Sequence, residues 1–461
     1  MSETDEATSR RGRLRIPDPM VLIFAVLVVA AILTHLVPSG TFEREVIEGQ
    51  TRVVPGSYHE APGDAASFFD VFVSVPRGLM AAAQYLFIVF IAGGLFNVLS
   101  STKALENFVG TVVKVVGLKR RGLIVWLTTF VFGFFGIAVG FENNIALVPI
   151  ALLVARAIGG SNLVGAGMAV GGIGVGFALS PINPYTVGVS QKIAELPMFS
   201  GAVLRSALVL TALAGVASYT TWALRRHVSD PDDGSGEGLS KPLHAYSLSR
   251  KDLVVLSIFG GGLVAMLIGV FTEGWYINEI AGVFLAIAIF VALATGMGGD
   301  DFVARMMEGA SSVTPGALVI GLAASIQVVL EDGLIIDTLI VGLSELLDGL
   351  PITIAAVMMS VVQGVLNFFI PSGSGQAMVT MPILIPLGDL IGMTRQTTVL
   401  AFQVGDGLTN LVVPTSGGTL AMLAMGRVSY GAWLKFCFPL MLGVYGLSWA
   451  FIVAAVSMGW S

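Results

Sequence analysis

The chain is 461 residues long with a net charge of −6; 55% of its residues are hydrophobic, 12% are charged, and mean hydropathy is +0.87. Soluble proteins carry about 25% charged residues, so the composition excludes a water-soluble globular protein and fits a polytopic membrane protein. One cysteine, Cys437, excludes an internal disulfide, the four histidines (His35, His59, His227, His244) show no zinc or haem spacing, and no G-x-x-x-x-G-K-[ST] loop is present for ATP-driven work.

Residues 1–19 are polar and contain Arg10, Arg11, Arg13 and Arg15. The apolar run 20–37 that follows is long and lacks a small-residue cleavage site, so it reads as a first span rather than a signal peptide. The arginines place the N-terminus in the cytoplasm by the positive-inside rule. Residues 38–76 form an outside loop and a second span covers 79–98. An amphipathic helix over 103–117 ends at Lys119-Arg120-Arg121. Two apolar segments, 122–140 and 146–159, are divided by Gly140-Phe141-Glu142-Asn143-Asn144. Each is short for a full span, which predicts a re-entrant hairpin with a buried tip.

A span over 163–195 is interrupted by Ser180-Pro181-Ile182-Asn183-Pro184-Tyr185-Thr186, where proline denies the helix its hydrogen bonds. A further span, 200–224, leads to the soluble linker 226–251. Spans 252–271 and 279–296 precede an inner amphipathic segment containing Arg305. The second half then runs 316–330, a surface helix at 335–348, 352–369, a break at Ile370-Pro371-Ser372-Gly373-Ser374-Gly375-Gln376, 377–391, a broken segment and a last span at 432–458. Inner loops collect most of the lysine and arginine, leaving Lys192, Arg205 and Arg395 to the outer ones. The expected count is nine spans and two hairpins. As domains, this gives 1–78 (tail, first span, loop), 79–225 (first repeat), 226–251 (linker), 252–311 (connecting spans) and 312–461 (second repeat).

The broken segment organises the rest. Within an apolar run over 397–425 stand Gly405-Asp406-Gly407-Leu408-Thr409-Asn410 and Pro414-Thr415-Ser416-Gly417. Backbone broken at membrane depth is tolerated only where it is buried in protein or lines a cavity. The two halves share one order of elements at an offset near 230 residues, the first beginning outside and the second inside, so the repeats are inverted. Paired broken elements in inverted repeats point to a substrate site at their interface. The fold expected is all-α and polytopic, with an inverted repeat, two re-entrant hairpins and two broken transmembrane helices.

The polar set at membrane depth comprises Glu142, Asn143, Asn144, Ser180, Asn183, Tyr185 and Thr186, then Asn367, Ser372, Ser374, Gln376, Gln403, Asp406, Thr409, Asn410, Thr415 and Ser416. Substrate binding is expected at Glu142, Asn143, Asn144, Asn183, Tyr185, Thr186, Ser372, Ser374, Asn410, Thr415 and Ser416. Ion coupling is expected at Glu142, Asp406, Thr409, Asn410 and Ser180, since ionisable residues within the bilayer are costly. Helix N-termini at the tips suit carboxylates, and Asn, Ser, Thr and Asp oxygens suit a hard cation, with Na⁺ allowed at Asp406 and Asn410. Two acids without a base in the breaks favour a proton, a sodium ion or a substrate bearing an amino group. No other cofactor, no nucleic-acid partner and no enzyme activity are expected. An ion channel or a non-transport membrane protein is the alternative to a carrier. Gly171-Gly-Ile-Gly-Val-Gly176 follows no strand and is expected to serve close helix packing or flexibility near the break.

Ile16-Pro-Asp-Pro19, Val54-Pro-Gly-Ser-Tyr-His59, Ser180-Pro-Ile-Asn-Pro-Tyr185, Phe369-Ile-Pro-Ser-Gly-Ser374 and Gly405-Asp-Gly-Leu-Thr-Asn410 with Pro414-Thr-Ser-Gly417 resemble the YfcC-like branch of the anaerobic C4-dicarboxylate carrier family. That branch belongs to the ion transporter superfamily, with the divalent anion–sodium symporters. The resemblance implies a dimeric secondary carrier of the bacterial inner membrane, in which a transport domain of hairpins and broken helices moves as an elevator against a scaffold. In the sodium–dicarboxylate relatives, Ser-Asn-Thr triplets at the hairpin tips bind substrate carboxylates. The matching positions here read Glu142-Asn143-Asn144 and Ser372-Gly373-Ser374, a departure at the acid. The branch is also linked to exchange of amino acids such as arginine and ornithine, so dicarboxylate and amino acid both stay open.

Overall fold

The computed structural model describes residues 19–47, 50–227, 240–347 and 349–461. The four N-terminal arginines, the first three residues of the Ile16-Pro-Asp-Pro19 motif and linker residues 228–239 lie outside the described residues. The helix α1 (Pro19–Leu36) leads into the loop. There, four short strands, β1 (Gly40–Thr41), β2 (Arg44–Ile47), β3 (Gln50–Val53) and β4 (His59–Glu60), pair antiparallel as β1–β4 and β2–β3. The expected all-α fold therefore carries a small β strap. Asp337 anchors it: its carboxylate accepts from the Phe42 N–H at 3.0 Å and pairs with Arg44 at 2.8 Å.

The helix α2 (Phe68–Ala81) occupies what was expected to be loop, started by a reciprocal Ser67–Asp70 cap. The second span accordingly begins later than expected, as α3 (Ala83–Thr102), followed by the amphipathic α4 (Ala104–Val116). The first hairpin is α5 (Arg121–Val139), a tight turn over Glu142–Leu147, and α6 (Val148–Ala157). Its first arm is not short: with the turn before it, Leu118–Val139 is long and apolar enough to cross a bilayer. The tight turn consumes the start of the second arm instead, which leaves α6 with 10 residues.

The first broken helix consists of α7 (Asn162–Ala166), a π-turn over Gly167–Gly171 and α8 (Gly172–Ala178), then an interruption, a second π-turn over Pro184–Gly188 and α9 (Val189–Ile193). Next come α10 (Ala202–His227), α11 (Arg250–Glu273), α12 (Ile277–Thr295) and α13 (Gly299–Asp332). The expected inner segment around Arg305 and the span 316–330 are one helix of 34 residues; Pro315 lies inside it without ending it. A bilayer helix tolerates such a proline because neighbours and local adjustment satisfy the freed carbonyl. The second half continues with α14 (Ile336–Glu345), the hairpin α15 (Ile352–Phe369) and α16 (Gly373–Leu390), and the broken pair α17 (Arg395–Thr409) and α18 (Gly417–Met425). It closes with α19 (Tyr430–Met458).

Among the described residues, eight helical segments are long and apolar enough to cross a membrane. They lie in α3, α5 with its preceding turn, α10, α11, α12, α13, α15 and α19; α1 and the rod Asn162–Ala178 are shorter. The chain is a multi-pass membrane protein.

Glycines set the helix crossings. A Cβ on Gly309 of α13 would strike the Gly93 backbone of α3, so these two helices pack at backbone distance. Within the Gly171–Gly176 motif, Gly172 faces the Thr129 carbonyl and Gly176 the Gly133 carbonyl of α5. The motif is a packing face, as expected. The helix α5 packs on α8, α15 packs on α17, and α8 meets α17.

Candidate substrate and ion site

All four expected interruptions are present, and each is finished by its own side chains. At the first tip Gly140 has φ +112°, a conformation open to glycine. Asn143 Nδ2 donates to the Val139 carbonyl at 2.9 Å, and Asn144 Nδ2 donates to the Gly140 and Phe135 carbonyls at 2.6 and 3.2 Å. These bonds satisfy carbonyls that α5 leaves free at its end. An amide donating to carbonyls must turn its own oxygen elsewhere, and both Oδ1 atoms are buried without a hydrogen-bond partner.

In the first broken helix, Asn183 Oδ1 accepts from the Tyr185 and Thr186 N–H groups at 2.8 and 3.2 Å, capping the helical turn after Pro184. Ser180 Oγ donates to the Ile137 carbonyl at 3.1 Å. Thr186 Oγ1 is buried and unpartnered.

The second tip starts α16: Ser372 Oγ accepts from the Gly375 N–H at 3.3 Å, and Gln376 Nε2 donates to the Gln363 carbonyl and side chain of α15 at 2.8 Å each. Thr380 ties into the same amide.

In the second broken helix, Asn410 Nδ2 donates to the Asp406 carbonyl at 3.1 Å while Asn410 Oδ1 accepts from Asn367 Nδ2 at 3.1 Å. The unwound carbonyls of Leu411 and Val412 accept from Trp433 Nε1 and the Tyr430 hydroxyl. Thr409 Oγ1 donates to the Gly405 carbonyl and meets the Tyr445 hydroxyl. Asp406 is fully buried, and neither carboxylate oxygen has a hydrogen-bond partner. It abuts the second tip, since a Cβ on Gly373 would lie 3.2 Å from Asp406 Oδ2.

The four interruptions converge. Glu142, Asn143, Tyr185, Thr186, Ser372, Ser374 and Asn410 line one narrow cavity of about 30 Å³, room on the order of one or two waters. Asn144, Asp406 and Thr415 stand outside its lining with buried, unpartnered oxygens. Ser180, Asn183 and Thr409 are engaged in local bonds. Ser416 occupies the cap position of α18, buried, without a side-chain capping bond. Gln376 and Asn367 brace the second hairpin, and Gln403 lies deeper still, between Arg205 and the Ser180 carbonyl.

Sequence reasoning missed four lining residues: Phe141, Phe177, Tyr85 of α3 and Tyr276 before α12. Phe141 sits within the first break; nothing local in the sequence marks the other three. It also misplaced Arg205. Expected in an outer loop, Arg205 lies in α10, fully buried, with Nε on Gln403 Oε1 at 3.1 Å and Nη1 on Gln396 Oε1 at 3.0 Å. The side chain is drawn inward because amide oxygens there replace its water.

The chain matches the family described as DcuC, C4-dicarboxylate anaerobic carrier, over residues 16–457. It is 28% identical over 513 aligned positions, covering all of both chains, to an Escherichia coli (strain K12) protein named "Putative basic amino acid antiporter YfcC". An uncharacterized protein of Haemophilus influenzae is 25% identical, with 95% of this chain and 96% of that one covered. Among solved structures, the YdaH transporter of Alcanivorax borkumensis aligns with a TM-score of 0.44 at 16% identity, covering 96% of this chain and 99% of that one. MtrF of Neisseria gonorrhoeae aligns at 0.43 and 16%, covering 96% of each. The chain belongs to the C4-dicarboxylate anaerobic carrier family and is a membrane transporter.

Proposed function

We propose that the protein is a secondary active carrier that moves a small carboxylate-bearing solute, a C4-dicarboxylate or an amino acid, across the bacterial inner membrane. The observation that carries the reading is the meeting of all four interrupted elements, two from each half, at one cavity. A channel needs a continuous pore; paired interruptions around a midplane site serve alternating access.

In this reading the halves are inverted repeats with the N-terminus inside. The hairpins and broken helices move as an elevator against α3, α12 and α13, and the working unit is a homodimer. The backbone-close contact of Gly93 with Gly309 supports a rigid scaffold. At the interface with α18, Gly316 faces Ala424, a small-residue surface suited to sliding.

Coupling runs through Na⁺, H⁺ or exchange. Each buried unpaired acceptor costs roughly 1–3 kcal/mol, so the oxygens of Asn143, Asn144, Asp406 and Thr415 are held for a ligand that satisfies them. They are the donors a hard cation takes, and a proton on Asp406 would serve in the same place. The free N–H groups at the start of α16 receive the carboxylate.

Counterflow in proteoliposomes tests the reading. Labelled solute should enter faster when unlabelled solute waits on the opposite side, and flux should saturate. Current that follows voltage without saturation would identify a channel instead.

A further inference from the structure

A second cavity, of about 400 Å³, lies between the β strap and the second hairpin. Its lining includes Thr41 and Arg44 of the strap, Asp337 of α14, and Ile370, Ser372 and Gly375 of the hairpin tip. Among the described residues, Ser372 alone lines both this space and the cavity where the four interruptions meet. Its neighbours divide between the two: Pro371, Gly373 and Ser374 border the central cavity, Ile370 and Gly375 the second one. One thickness of chain thus separates the spaces. Among the described residues, that chain bonds only within its own hairpin. The Ser372 N–H donates to the Ile370 carbonyl at 2.7 Å, Ser372 Oγ accepts from the Gly375 N–H, and the arms are tied at Gln376 and Gln363.

A third cavity, of about 720 Å³, is lined in part by Lys103, Arg156 and Arg427 and shares no described lining residue with the central one. The helix α18 runs between them. A Cβ on Gly418 would lie 2.8 Å from the Phe141 ring, one on Gly417 2.7 Å from Ile320, and one on Gly316 of α13 2.0 Å from the Ala424 side chain. The barrier on that side is a helix packed on α13; on the strap side it is a single tip.

The strap is fastened at the start of α14. Asp337, 4% exposed, accepts from Arg44 Nη2 at 2.8 and 3.0 Å and from the Phe42 N–H at 3.0 Å. The Gly40 N–H donates to the Leu334 carbonyl at 2.9 Å, and the Tyr58 hydroxyl meets Thr338 Oγ1 at 2.8 Å. Strand β3 of the same strap packs on α16, the arm that follows the tip.

We propose that the 400 Å³ cavity is the external entrance to the substrate site, that the Ser372 tip is the partition the solute passes, and that Asp337 and Arg44 are positioning residues for that passage. Pinned to α14 and laid against α16, the strap braces the tip in its closed position; releasing the pin frees the tip to open. This inference rests on the carrier reading with the N-terminus inside, and adds to it the route of entry.

Labelling rates of Ser374→Cys with an impermeant thiol reagent, in right-side-out and in inside-out vesicles, test the route. Adding Asp337→Asn or Arg44→Gln should speed labelling from the outside about fivefold, the worth of a partly exposed bidentate pair. Labelling from the inside should stay level or fall. The two changes together should do no more than either alone, because they remove one shared contact. An outside rate that ignores the strap, or a rate that rises alike from both sides, overturns the entrance and leaves the carrier standing. A Ser374→Cys protein reachable from neither side removes the carrier reading and the entrance together. Should both strap variants fail to fold, Tyr58→Phe, which deletes only the hydroxyl that meets Thr338, decides: acceleration from the outside alone supports the entrance, and none overturns it.

Discussion

Asn367 and Asn410 join the second hairpin to the second broken helix: the Asn367 amide donates to Asn410 Oδ1 at 3.1 Å, and Asn410 passes its own amide hydrogen to the Asp406 carbonyl. A single chain of hydrogen bonds thus runs from α15 into the unwound turn that lines the cavity. Asn367→Ala should leave Asn410 Oδ1 unpaired in a dry site, a loss of about 1–3 kcal/mol. Solute affinity should fall roughly tenfold, with Asn410→Ala and Thr415→Ala doing likewise. Calorimetric titration of the three variants checks this; unchanged affinity in all three would separate the chain from the site.

Asp406 offers two buried oxygens and no partner. Asp406→Asn keeps the shape and removes the charge, so coupled uptake should cease while the protein stays folded. Uptake measured against a Na⁺ gradient and against a pH gradient identifies the ion. If the variant keeps its ion dependence, Asp406 is not in the ion site.

Arg205 binds Gln396, Gln403 and the Ser200 carbonyl from one fixed fork. Through Gln403 it braces the Ser180 carbonyl at the first broken helix. Arg205→Met should cost about 1.5–3 kcal/mol, the worth of hydrogen bonds to a charged group. Arg205→Lys should not rescue it, because an ammonium group cannot reproduce the fork. Thermal melting of both variants is the check, with parental stability in the lysine variant as the contrary result.

On the linker side, Glu106 of α4 receives the Ser240 N–H at 2.7 Å and the Tyr246 hydroxyl at 2.6 Å, with Lys103 at 3.4 Å. Burial, the largest influence, pushes its pKa up, but the Ser240 and Tyr246 hydrogen bonds and the Lys103 charge together bring it down from 4.5 to about 2. A carboxyl whose pKa is lower when docked than when free stabilises docking above the free value. Its contribution is therefore whole above pH 4.5 and is lost as pH falls toward 2. Amide exchange at residues 240–246, corrected for intrinsic rate, should rise over that interval, and Glu106→Gln should show the rise already at pH 7. Flat exchange across the interval would mean the linker is held elsewhere.

The interruptions were legible because proline, glycine and clustered polar residues inside an apolar run leave few other conformations, as at Ser180–Thr186 and Asn410–Ser416; Gly405-Asp-Gly-Leu-Thr409, expected within the break, stays helical as the end of α17, because two glycines alone do not remove the helix hydrogen bonds. The Gly171–Gly176 packing face was legible for the same reason. Tyr85 and Tyr276 were not, since each sits in an ordinary apolar or loop setting and reaches the cavity only through tertiary packing. The continuity of α13 was not legible either: the segment around Arg305 and the span 316–330 read as separate pieces because the polar first half and the apolar second half differ in character, yet they form one helix whose buried residues gather in its second half. Arg205 was hidden because a charge near a helix start reads as solvated until its amide partners, nearly 200 positions away, are in place.

The most direct measurement is thiol labelling of Ser374→Cys, feasible because the one native cysteine, Cys437, is buried. An impermeant reagent applied to right-side-out and to inside-out vesicles should modify Ser374→Cys from each side, and saturating solute should protect it from both. Labelling that solute leaves unchanged, or a position reachable from neither side, would contradict a carrier whose substrate sits where the four interrupted elements meet.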